Sequence, residues 1–443
     1  MRVALVSYGT RGDVQPFVCL GRALADAGHA VEVTASLDGE GMVRAAGLPF
    51  RPLALDAQEM LGAEEARRML ADGRMRAFFR WLEDAEKPFW ERNRRVLMEL
   101  SDGVDLIVCG VLMTARCGAV AEARGIPVVP LHLCPTAPSR SYVPTMLPQR
   151  SLGPANRIAH NLPMWIFYRS QLEDLARLHD ELGLPPPRWR QWRHRFGPRT
   201  PALLAYSQAL FPPAGEWSPD LHPAGPLEPW PELRGRLGEV GIPSELDEWL
   251  EGGPPPVFFG FGSMPVLDGA ATLEMIRNVS AQLGVRAIVA AGWSSLEGAG
   301  EDDLFVLDAV DHQSLLPRCA AAVHHGGAGT TSASAAAGIP TLVCSVMADQ
   351  PFWGARCRAL GIGDTLPFTR LDATSLTRGL RACLKAEVRT RAAALGRRIA
   401  SEDGVTAART YIEGLDPVTG EGAGRPLSVG GAGASRASPL PRR

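Results

Sequence analysis

The residues most able to bind a ligand lie close together in a glycine-rich stretch in the second half of the chain. It reads His324-His325-Gly326-Gly327-Ala328-Gly329-Thr330-Thr331, between an apolar run and a run of small residues. Glycine lets a ligand approach the backbone, and a helix that begins here would direct free N–H groups and its positive dipole end at the ligand. We predict a phosphate or pyrophosphate site, with His325 and the Thr330 hydroxyl as further donors. The alternative is a tight turn whose glycines serve packing alone.

The glycine pattern differs from the common nucleotide fingerprints. A G-x-G-x-x-G motif that began at Gly327 would need glycine at position 332, where serine stands. The turn Gly9-Thr10-Arg11-Gly12 does not match either, and no acidic ribose ligand follows the second strand. The chain contains no G-K-[ST] and no D-x-D. We therefore expect no P-loop, no bound metal and no resident cofactor.

Two acidic positions follow predicted strands and could act on hydroxyl groups. Asp13 comes after the turn at 9–12, at the sheet edge where open α/β folds bind ligands, and it could accept a proton from a substrate hydroxyl. Asp349-Gln350 follows a later strand, and an acid beside an amide can bind the vicinal hydroxyls of a sugar. Helix capping is the alternative for both positions. Ser263, in the turn that opens the second half, could contact a phosphate.

The elements that must position these residues alternate between short apolar strands and helix-period segments, which is typical of parallel α/β architecture. In the first half we predict strands at 3–7, 30–35, 105–110 and 127–131, and helices at 14–27, 63–70, 74–100 and 163–182. In the second half we predict strands at 257–261, 286–290, 304–307, 320–324 and 341–345, and helices at 270–283 and 402–413. Each half opens with a strand and a glycine-containing turn. The sequence therefore predicts two facing Rossmann-like domains.

Proline marks the change between the two halves. Seven prolines fall between residues 211 and 231, and proline suits neither a helix interior nor a central strand. We predict a first domain at 1–212, a linker at 213–235, a second domain at 236–400 and a last helix at 401–414. Residues 415–443 are rich in Gly, Ser, Pro and Arg, so we expect a disordered tail.

The composition excludes several classes of protein. The chain has 443 residues, of which 46% are hydrophobic and 21% charged, as in folded proteins of two domains. With a net charge of −2, the chain has no overall positive electrostatic field that would attract nucleic acid or an anionic membrane. The eight cysteines form no C-x-x-C pair, so neither a zinc site nor a disulfide framework is predicted. We expect a cytoplasmic monomer or weak dimer that does not insert stably into a membrane.

Aromatic residues are frequent in the first half. Phe78, Trp81 and Trp165 could line an apolar pocket for a substrate. Their spacing is helical, so packing in the core is the alternative.

Together these blocks resemble a known family. The stretch Gly9-Thr10-Arg11-Gly12-Asp13-Val14-Gln15-Pro16 is similar to the opening of family 1 nucleotide-sugar glycosyltransferases of the bacterial natural-product and sterol-type branch. The stretches at 315–319, 325–331, 337–340 and 348–351 are similar to the donor-binding signature of that family. The resemblance extends from residue 1 to about residue 413. It implies the GT-B fold, with an acceptor domain, a donor domain and a C-terminal helix that crosses back to the first domain.

The resemblance also implies roles for individual residues. Asp13 matches the catalytic base of the family, and Asp349 and Gln350 match its sugar contacts. The diphosphate contacts match Ser263, His325, Gly327, Gly329 and Thr330, and Val310 and His312 fall in the nucleobase loop. Ala309 and Val310 stand where the plant branch has tryptophan, and Ala333 stands near the position of its ribose-binding glutamate. The choice between UDP and dTDP is therefore open.

The implied reaction is inverting transfer of a hexose, glucose or a deoxysugar, from a nucleotide diphosphate to a hydroxyl of a hydrophobic natural product such as a macrolide, polyketide or glycopeptide. Asp13 would deprotonate the hydroxyl, while His325 and the helix near Gly329 would stabilise the leaving diphosphate without a metal. Three alternatives share parts of the pattern: a GT-B nucleotide-sugar epimerase, a non-catalytic helper protein and an NAD-dependent oxidoreductase. The epimerase needs no base in the first turn, a helper needs no intact site, and the oxidoreductase needs another glycine pattern.

Overall fold

The computed structural model describes residues 1–194, 200–239, 241–260, 268–290, 303–307 and 311–415. The chain divides into two units. The first contains Met1–Ala57, Ala85–Leu233 and the chain from Asp403 onward, and the second contains Gln58–Asp84 and Arg234–Glu402. Each unit is built around one parallel β-sheet.

The sheet of the first unit has seven strands. They are β1 Arg2–Val6, β2 Ala30–Ala35, β3 Phe50–Pro52, β4 Leu106–Gly110, β5 Val128–His132, β6 Ala202–Leu204 and β7 Leu221–Pro223. Their order is β3-β2-β1-β4-β5-β6-β7, so the direction of winding reverses between β1 and β4. Open α/β sheets bind ligands at such a switch point, beyond the carboxyl ends of the strands. The turn that follows β1 leaves the sheet at this place.

The sheet of the second unit repeats this arrangement with six strands. They are β8 Val257–Gly260, β9 Ala287–Ala290, β10 Leu304–Leu307, β11 Ala321–His324, β12 Thr341–Ser345 and β13 Gly363–Pro367. The order is β10-β9-β8-β11-β12-β13, and the switch point lies between β8 and β11. His324, the last residue of β11, pairs with Gly260, the last residue of β8.

Helices cover both faces of the two sheets, as parallel sheets require. In chain order up to residue 194 they are α1 Arg11–Asp26, α2 Glu40–Ala45, α3 Ala57–Gly62, α4 Glu64–Ala71, α5 Met75–Glu86, α6 Trp90–Leu100, α7 Thr114–Arg124, α8 Asn156–Ala159, α9 Asn161–Glu181 and α10 Trp189–His194. They continue with α11 Pro231–Arg236, α12 Ser244–Glu251, α13 Gly269–Leu283, α14 His312–Leu315, α15 Ala328–Ala336, α16 Gln350–Leu360, α17 Ala373–Cys383, α18 Ala386–Ile399 and α19 Gly404–Glu413. The predicted pair of Rossmann-like domains is confirmed.

The last described helix, α19, belongs to the first unit, so the predicted return of the chain is confirmed. It packs against α1, and a β-carbon on Gly404 would lie 2.2 Å from the carbonyl oxygen of Pro226. The His29 Nε2 atom lies 3.2 Å from a Glu413 carboxylate oxygen at the other end of the helix. The predicted disordered tail lies outside the described residues from position 416 onward.

Residues 58–84 group with the second unit, whereas the sequence placed them in a first domain at 1–212. Phe78 of α5 packs with Met69 and Leu70 of α4 and with the partly buried Val346 and Met347. The predicted helix at 74–100 is divided in two. It is interrupted by a short 3-10 turn at Lys87–Phe89 that contains Pro88, because proline cannot continue the hydrogen bonding of a helix.

The proline-rich segment contains a strand that the sequence did not reveal. β7 extends the first sheet beyond β6, and Pro223 pairs with Leu204 there. Proline is tolerated because this strand lies at the sheet edge, where one side needs no N–H donor. The change from the first unit to the second falls at Leu233–Arg234, within the predicted linker at 213–235. None of the helices in the described part of the chain is long and apolar enough to cross a bilayer.

Candidate functional site

Asp13 lies in the first turn of α1, whose N-cap is Thr10. The Asp13 Oδ2 atom accepts a hydrogen bond from the Thr10 N–H at 2.9 Å and a longer one from the Thr10 hydroxyl at 3.4 Å. The Ser7 hydroxyl donates to the backbone carbonyl of Asp13 at 2.8 Å. Asp13 therefore stabilises the start of the helix from inside its first turn, and its half-buried carboxylate lies at the switch point of the first sheet.

Gly9 shapes the surroundings of this carboxylate. Its φ of +131° suits glycine, and a β-carbon there would lie 2.3 Å from Asp13 Oδ2. The Gly9 N–H donates to the Ser36 hydroxyl at 3.0 Å, which connects the turn to the end of β2. A larger residue at position 9 would displace either the turn or the carboxylate.

Tyr8 is a polar neighbour in this turn that no motif had indicated. Its hydroxyl donates to Glu86 Oε1 at 2.7 Å. Burial, followed by the Glu86 carboxylate, raises the pKa of Tyr8, so the phenol stays protonated. Tyr8 and Glu86 are far apart in sequence, and only the folded chain reveals the pair.

The glycine-rich stretch lies at the switch point of the second sheet. β11 ends at His324, Gly327 is the N-cap of α15, and the helix begins at Ala328. The first N–H groups of an α-helix have no partner within the helix, so those of Ala328, Gly329 and Thr330 point outward from this end. The geometry has the elements predicted for an anion site: a short glycine turn, a helix N-terminus and an adjacent histidine.

The imidazole of His325 lies against the N-cap of α15. A β-carbon on Gly327 would lie 2.6 Å from His325 Nε2, so glycine is needed for the ring to approach the backbone this closely. Burial and the neighbouring His312 lower the pKa of His325 to about 4, although the Gly260 carbonyl acts in the opposite direction. The ring is therefore neutral at pH 7 and carries one N–H.

His324 holds the turn in place. It is fully buried, its Nδ1 accepts the Gly326 N–H at 3.0 Å, and its Nε2 lies 3.2 Å from the Ser334 hydroxyl. Because Nδ1 accepts, the proton is on Nε2, which donates to Ser334. Burial lowers the pKa of His324 well below its ordinary value, so this tautomer persists. The sequence motif did not distinguish this structural histidine from His325.

Asp349 and Gln350 form the start of α16. Asp349 is the N-cap, and its Oδ2 accepts the Trp353 indole N–H at 2.7 Å. Burial raises the pKa of Asp349 to about 6. The Gln350 Oε1 atom accepts the N–H groups of Val346 and Met347 at 2.8 and 3.1 Å, so this amide oxygen closes the loop after β12.

The other predicted site residues are distributed as follows. His312 begins α14, with its ring centroid 5.4 Å from that of Phe258 and its charge close enough to affect His325. Ser263 and Val310 lie outside the described residues. In the part of the chain that is described, no cluster of three or more His, Cys, Asp or Glu side chains could hold a metal ion.

The three predicted aromatic pocket residues do not share one cluster. Phe78 is buried, and its ring stacks on that of Trp81 with centroids 6.3 Å apart in the second unit. Trp165 lies on α9 of the first unit, and 48% of its surface is exposed. Phe78 therefore serves core packing, which was the alternative.

Comparison with known proteins gives the family. Residues 3–129 match the glycosyltransferase family 28 N-terminal domain, and residues 285–406 match the C-terminal domain described as erythromycin biosynthesis protein CIII-like. An uncharacterised glycosyltransferase of Mycobacterium leprae is 32% identical over 423 residues, which cover 93% of this chain and 96% of the relative. The chain belongs to the GT-B glycosyltransferases of family 1.

Two further similarities extend this assignment. A sterol 3-beta-glucosyltransferase of Arabidopsis thaliana is 30% identical over 428 residues, which cover 92% of this chain and 64% of that protein. The crystal structure of the glycosyltransferase VinC in complex with dTDP has the same fold, with a TM-score of 0.61 and 19% identity, over 93% of this chain and 100% of VinC. Both similarities agree with a GT-B glycosyltransferase.

Proposed function

We propose that this glycosyltransferase moves a hexose from a UDP- or dTDP-sugar to a hydroxyl of a hydrophobic natural product, with inversion at the anomeric carbon. The observation that carries the proposal is the juxtaposition of His325 with the N-cap of α15 at the switch point of the second sheet. The dTDP bound to VinC and the erythromycin-related domain support the donor and acceptor classes.

The donor diphosphate is assigned to the end of α15. The N–H groups of Ala328, Gly329 and Thr330 would donate to its oxygens, and the helix dipole would favour its charge. His325 carries no positive charge, since its pKa is about 4, and its one N–H would turn from the Gly260 carbonyl to the diphosphate. The helix N–H groups are in place before the reaction, so they stabilise the charge that develops on the leaving group, and we propose that no metal is needed.

The hexose is assigned to Asp349 and Gln350. The carboxylate of Asp349 accepts the Trp353 N–H and can also accept from sugar hydroxyls. Gln350 is proposed as a second sugar contact, while its amide oxygen accepts the N–H groups of Val346 and Met347. His312 is proposed to lie along the nucleobase.

Asp13 is proposed as the general base. Its carboxylate takes the proton from the acceptor hydroxyl as the hydroxyl oxygen forms a bond to the anomeric carbon. The bond between that carbon and the diphosphate oxygen breaks, and its electron pair stays on the nucleoside diphosphate. The Thr10 N–H orients the carboxylate during the proton transfer.

The test combines a donor and acceptor panel with the variant Asp13→Asn. Mass spectrometry of the full-length protein with UDP- and dTDP-sugars and aliphatic polyol acceptors should detect a hexosylated product, whose anomeric proton coupling reports inversion. Asp13→Asn should reduce transfer by roughly 10²–10⁴, the usual contribution of a positioned base. Nucleoside diphosphate affinity should hold, and the free energy of unfolding should change by less than about 1 kcal/mol, because Asn retains an acceptor for the Thr10 N–H.

A matched control is Asp26→Asn on the same helix, where the carboxylate pairs with Arg22 near the surface. This variant should retain wild-type turnover. Near-normal transfer to an aliphatic alcohol by Asp13→Asn would contradict the assignment of the base. Isomerised donor without an acceptor would indicate the epimerase, and no turnover with any pair in the panel would favour the helper protein.

A further inference from the structure

Large apolar side chains lie exposed on α8 and at the start of α9. Ile158 is 73% exposed, Leu162 and Ile166 are each 54% exposed, and Trp165 is 48% exposed. His160, between the two helices, has helical dihedrals (φ −60°, ψ −24°), so α8 leads almost continuously into α9. Spacings of four, three and one residues place these side chains on one helix face, which we name the α9 face.

The opposite side of α9 is already occupied by the core of the first unit. Tyr168, Leu175 and Leu178 are buried there, and the partly buried Met164 and Phe167 pack against the same cluster. The start of α9 is therefore apolar on both sides. A helix of this kind is normally buried, and an exposed apolar surface of several adjacent large residues indicates a binding surface.

The segment that forms the α9 face has only arginines among its charged side chains, and the exposed Glu216, from elsewhere in the chain, accepts the backbone N–H of Arg140. No Asp or Glu occurs between residues 131 and 172, whereas this stretch contains four arginines, all of them exposed: Arg140, Arg150, Arg157 and Arg169. The whole chain carries a net charge of −2, so this positive charge is local. A partner of this surface must therefore combine apolar and anionic character.

The nearest acids along α9 are engaged elsewhere. Glu173 pairs with Arg177 at 2.8 Å, one turn further along the helix. The buried Asp174 binds Arg94 at 2.6 Å and Arg116 at 2.7 Å. Neither carboxylate compensates the arginines around the α9 face.

We propose that the α9 face docks on the surface of an anionic lipid bilayer. Ile158, Leu162 and Ile166 would enter the boundary between headgroups and acyl chains, as the apolar side of an interfacial helix does. The Trp165 ring suits the level of the lipid headgroups. The Arg169 guanidinium carbon lies 5.8 Å from the centroid of this ring, so the positive charge of Arg169 would lie at the same level. The arginines would pair with anionic headgroups.

A second copy of the chain fits this surface less well. In a two-fold symmetric dimer the same patch meets itself, so the four arginines of one copy would approach those of the other. Like charges that are brought together across an interface oppose association. A nucleic acid would use the arginines but would leave the aliphatic side chains without apolar partners.

The test is co-sedimentation of the full chain with vesicles of phosphatidylglycerol and phosphatidylcholine, and with vesicles of phosphatidylcholine alone. Binding should be strong on the mixed vesicles at low salt, weak on the neutral ones, and reduced by added salt. The double variant Leu162→Ser/Ile166→Ser should lower the partition coefficient by roughly tenfold or more, since each buried methylene contributes to interfacial binding. Arg157→Glu should lower it by about tenfold through loss of attraction and added repulsion.

Matched controls are Phe79→Ser on α5, where the ring is 42% exposed, and Arg92→Glu on α6, where the side chain is also exposed. Both should bind vesicles like wild type. Absence of binding to the anionic vesicles at low salt, or equal losses in controls and test variants, would overturn the proposal. It would also be overturned if sedimentation equilibrium showed that Leu162→Ser/Ile166→Ser converts a dimer to a monomer without affecting vesicle binding. Transfer to a water-soluble acceptor is measured in parallel and should not change, which keeps this test separate from the proposed function.

Discussion

The carboxylate of Asp13 lies directly against Gly9, so that a β-carbon at position 9 would be 2.3 Å from Asp13 Oδ2. The same oxygen accepts the Thr10 N–H at 2.9 Å. The turn after β1 thus fixes the carboxylate from two sides. For a general base this matters because proton transfer requires hydrogen-bond distance to the reacting hydroxyl, and displacement by about 1 Å can cost on the order of 10² in rate.

We predict that Gly9→Ala reduces transfer by roughly tenfold to 10² although the proposed base Asp13 is retained, because the added methyl group displaces its carboxylate. The control is Gly28→Ala, where φ is also positive, at +89°, and no atom lies within 4 Å of the added carbon. Both variants should lose roughly 1–3 kcal/mol of stability from the unfavourable backbone conformation. Measurements of kcat/KM and Tm compare the two. Equal losses of activity in both variants would contradict a specific effect on Asp13.

The histidine at the N-cap of α15 gives a second prediction. His325→Ala should lower nucleoside diphosphate affinity by roughly tenfold, the effect of removing one hydrogen bond to a charged group. Because the pKa of His325 is about 4, the ring is neutral, and the ratio of wild-type to variant affinity should be the same at pH 6 and pH 8. Titration calorimetry provides the measurement, with His222→Ala in the first unit as the control. A ratio that rises toward pH 6 would show that the ring is charged when the ligand is bound.

Much of the fold could be read from local sequence, because buried parallel strands appear as short continuous apolar runs. Predicted strands at 30–35, 304–307 and 341–345 agree with β2, β10 and β12 at both ends. β7 was missed because two of its features, its edge position and its pairing with β6, depend on distant residues. The grouping of α4 and α5 with the second unit was missed for a related reason: an apolar pattern predicts burial but does not identify the partner.

The motifs predict which residues form the candidate site, but they do not predict which contacts each of those residues makes. The motif contains two adjacent histidines, and only the fold shows that His324 bonds to Gly326 and Ser334 whereas His325 lies against Gly327. Asp13 was expected either to cap α1 or to act as a base. In the structure one hydrogen bond, from the Thr10 N–H to the Asp13 carboxylate, both stabilises the start of the helix and orients the carboxylate. A role in the helix start and a role as a base therefore do not exclude each other.

Asp349 gives a prediction about stability and pH. Burial raises its pKa to about 6 in the folded protein, above the ordinary value of 3.8. A raised pKa contributes stability that is fully present below about pH 4 and is lost as the pH rises through 6, because the buried carboxyl must then ionise. Asp349→Asn removes this titration and keeps an acceptor for the Trp353 N–H. The variant should therefore gain about 1–2 kcal/mol relative to wild type between pH 4 and pH 8. Denaturant unfolding at several pH values measures the difference, and a constant difference would refute the buried-carboxyl explanation.

Histidines whose pKa is lowered by burial predict the opposite dependence of stability on pH in the mildly acidic range. Burial lowers the pKa of His132, His160 and His325 to about 4 each, and that of His324 well below its ordinary value. In the unfolded chain histidine titrates near pH 6.5, so between about pH 6.5 and 4 the unfolded state binds protons that the folded state does not. Stability is therefore present above pH 6.5 and falls as the pH decreases toward 4, partly offset by Asp349.

The contribution of one histidine can be isolated with His160→Gln. The His160 Nε2 atom lies 3.3 Å from the Tyr142 carbonyl, and the amide nitrogen of Gln can donate to the same oxygen without titrating. The variant should take up one proton fewer than the wild type when it unfolds. The slope of the unfolding free energy against pH near pH 5.5 should therefore decrease by up to about 1.4 kcal/mol per pH unit. Urea unfolding curves at half-unit intervals between pH 5 and pH 7.5 measure this slope. An unchanged slope would mean that His160 is protonated in the folded protein, and its burial against Tyr142 would then no longer explain the acid sensitivity.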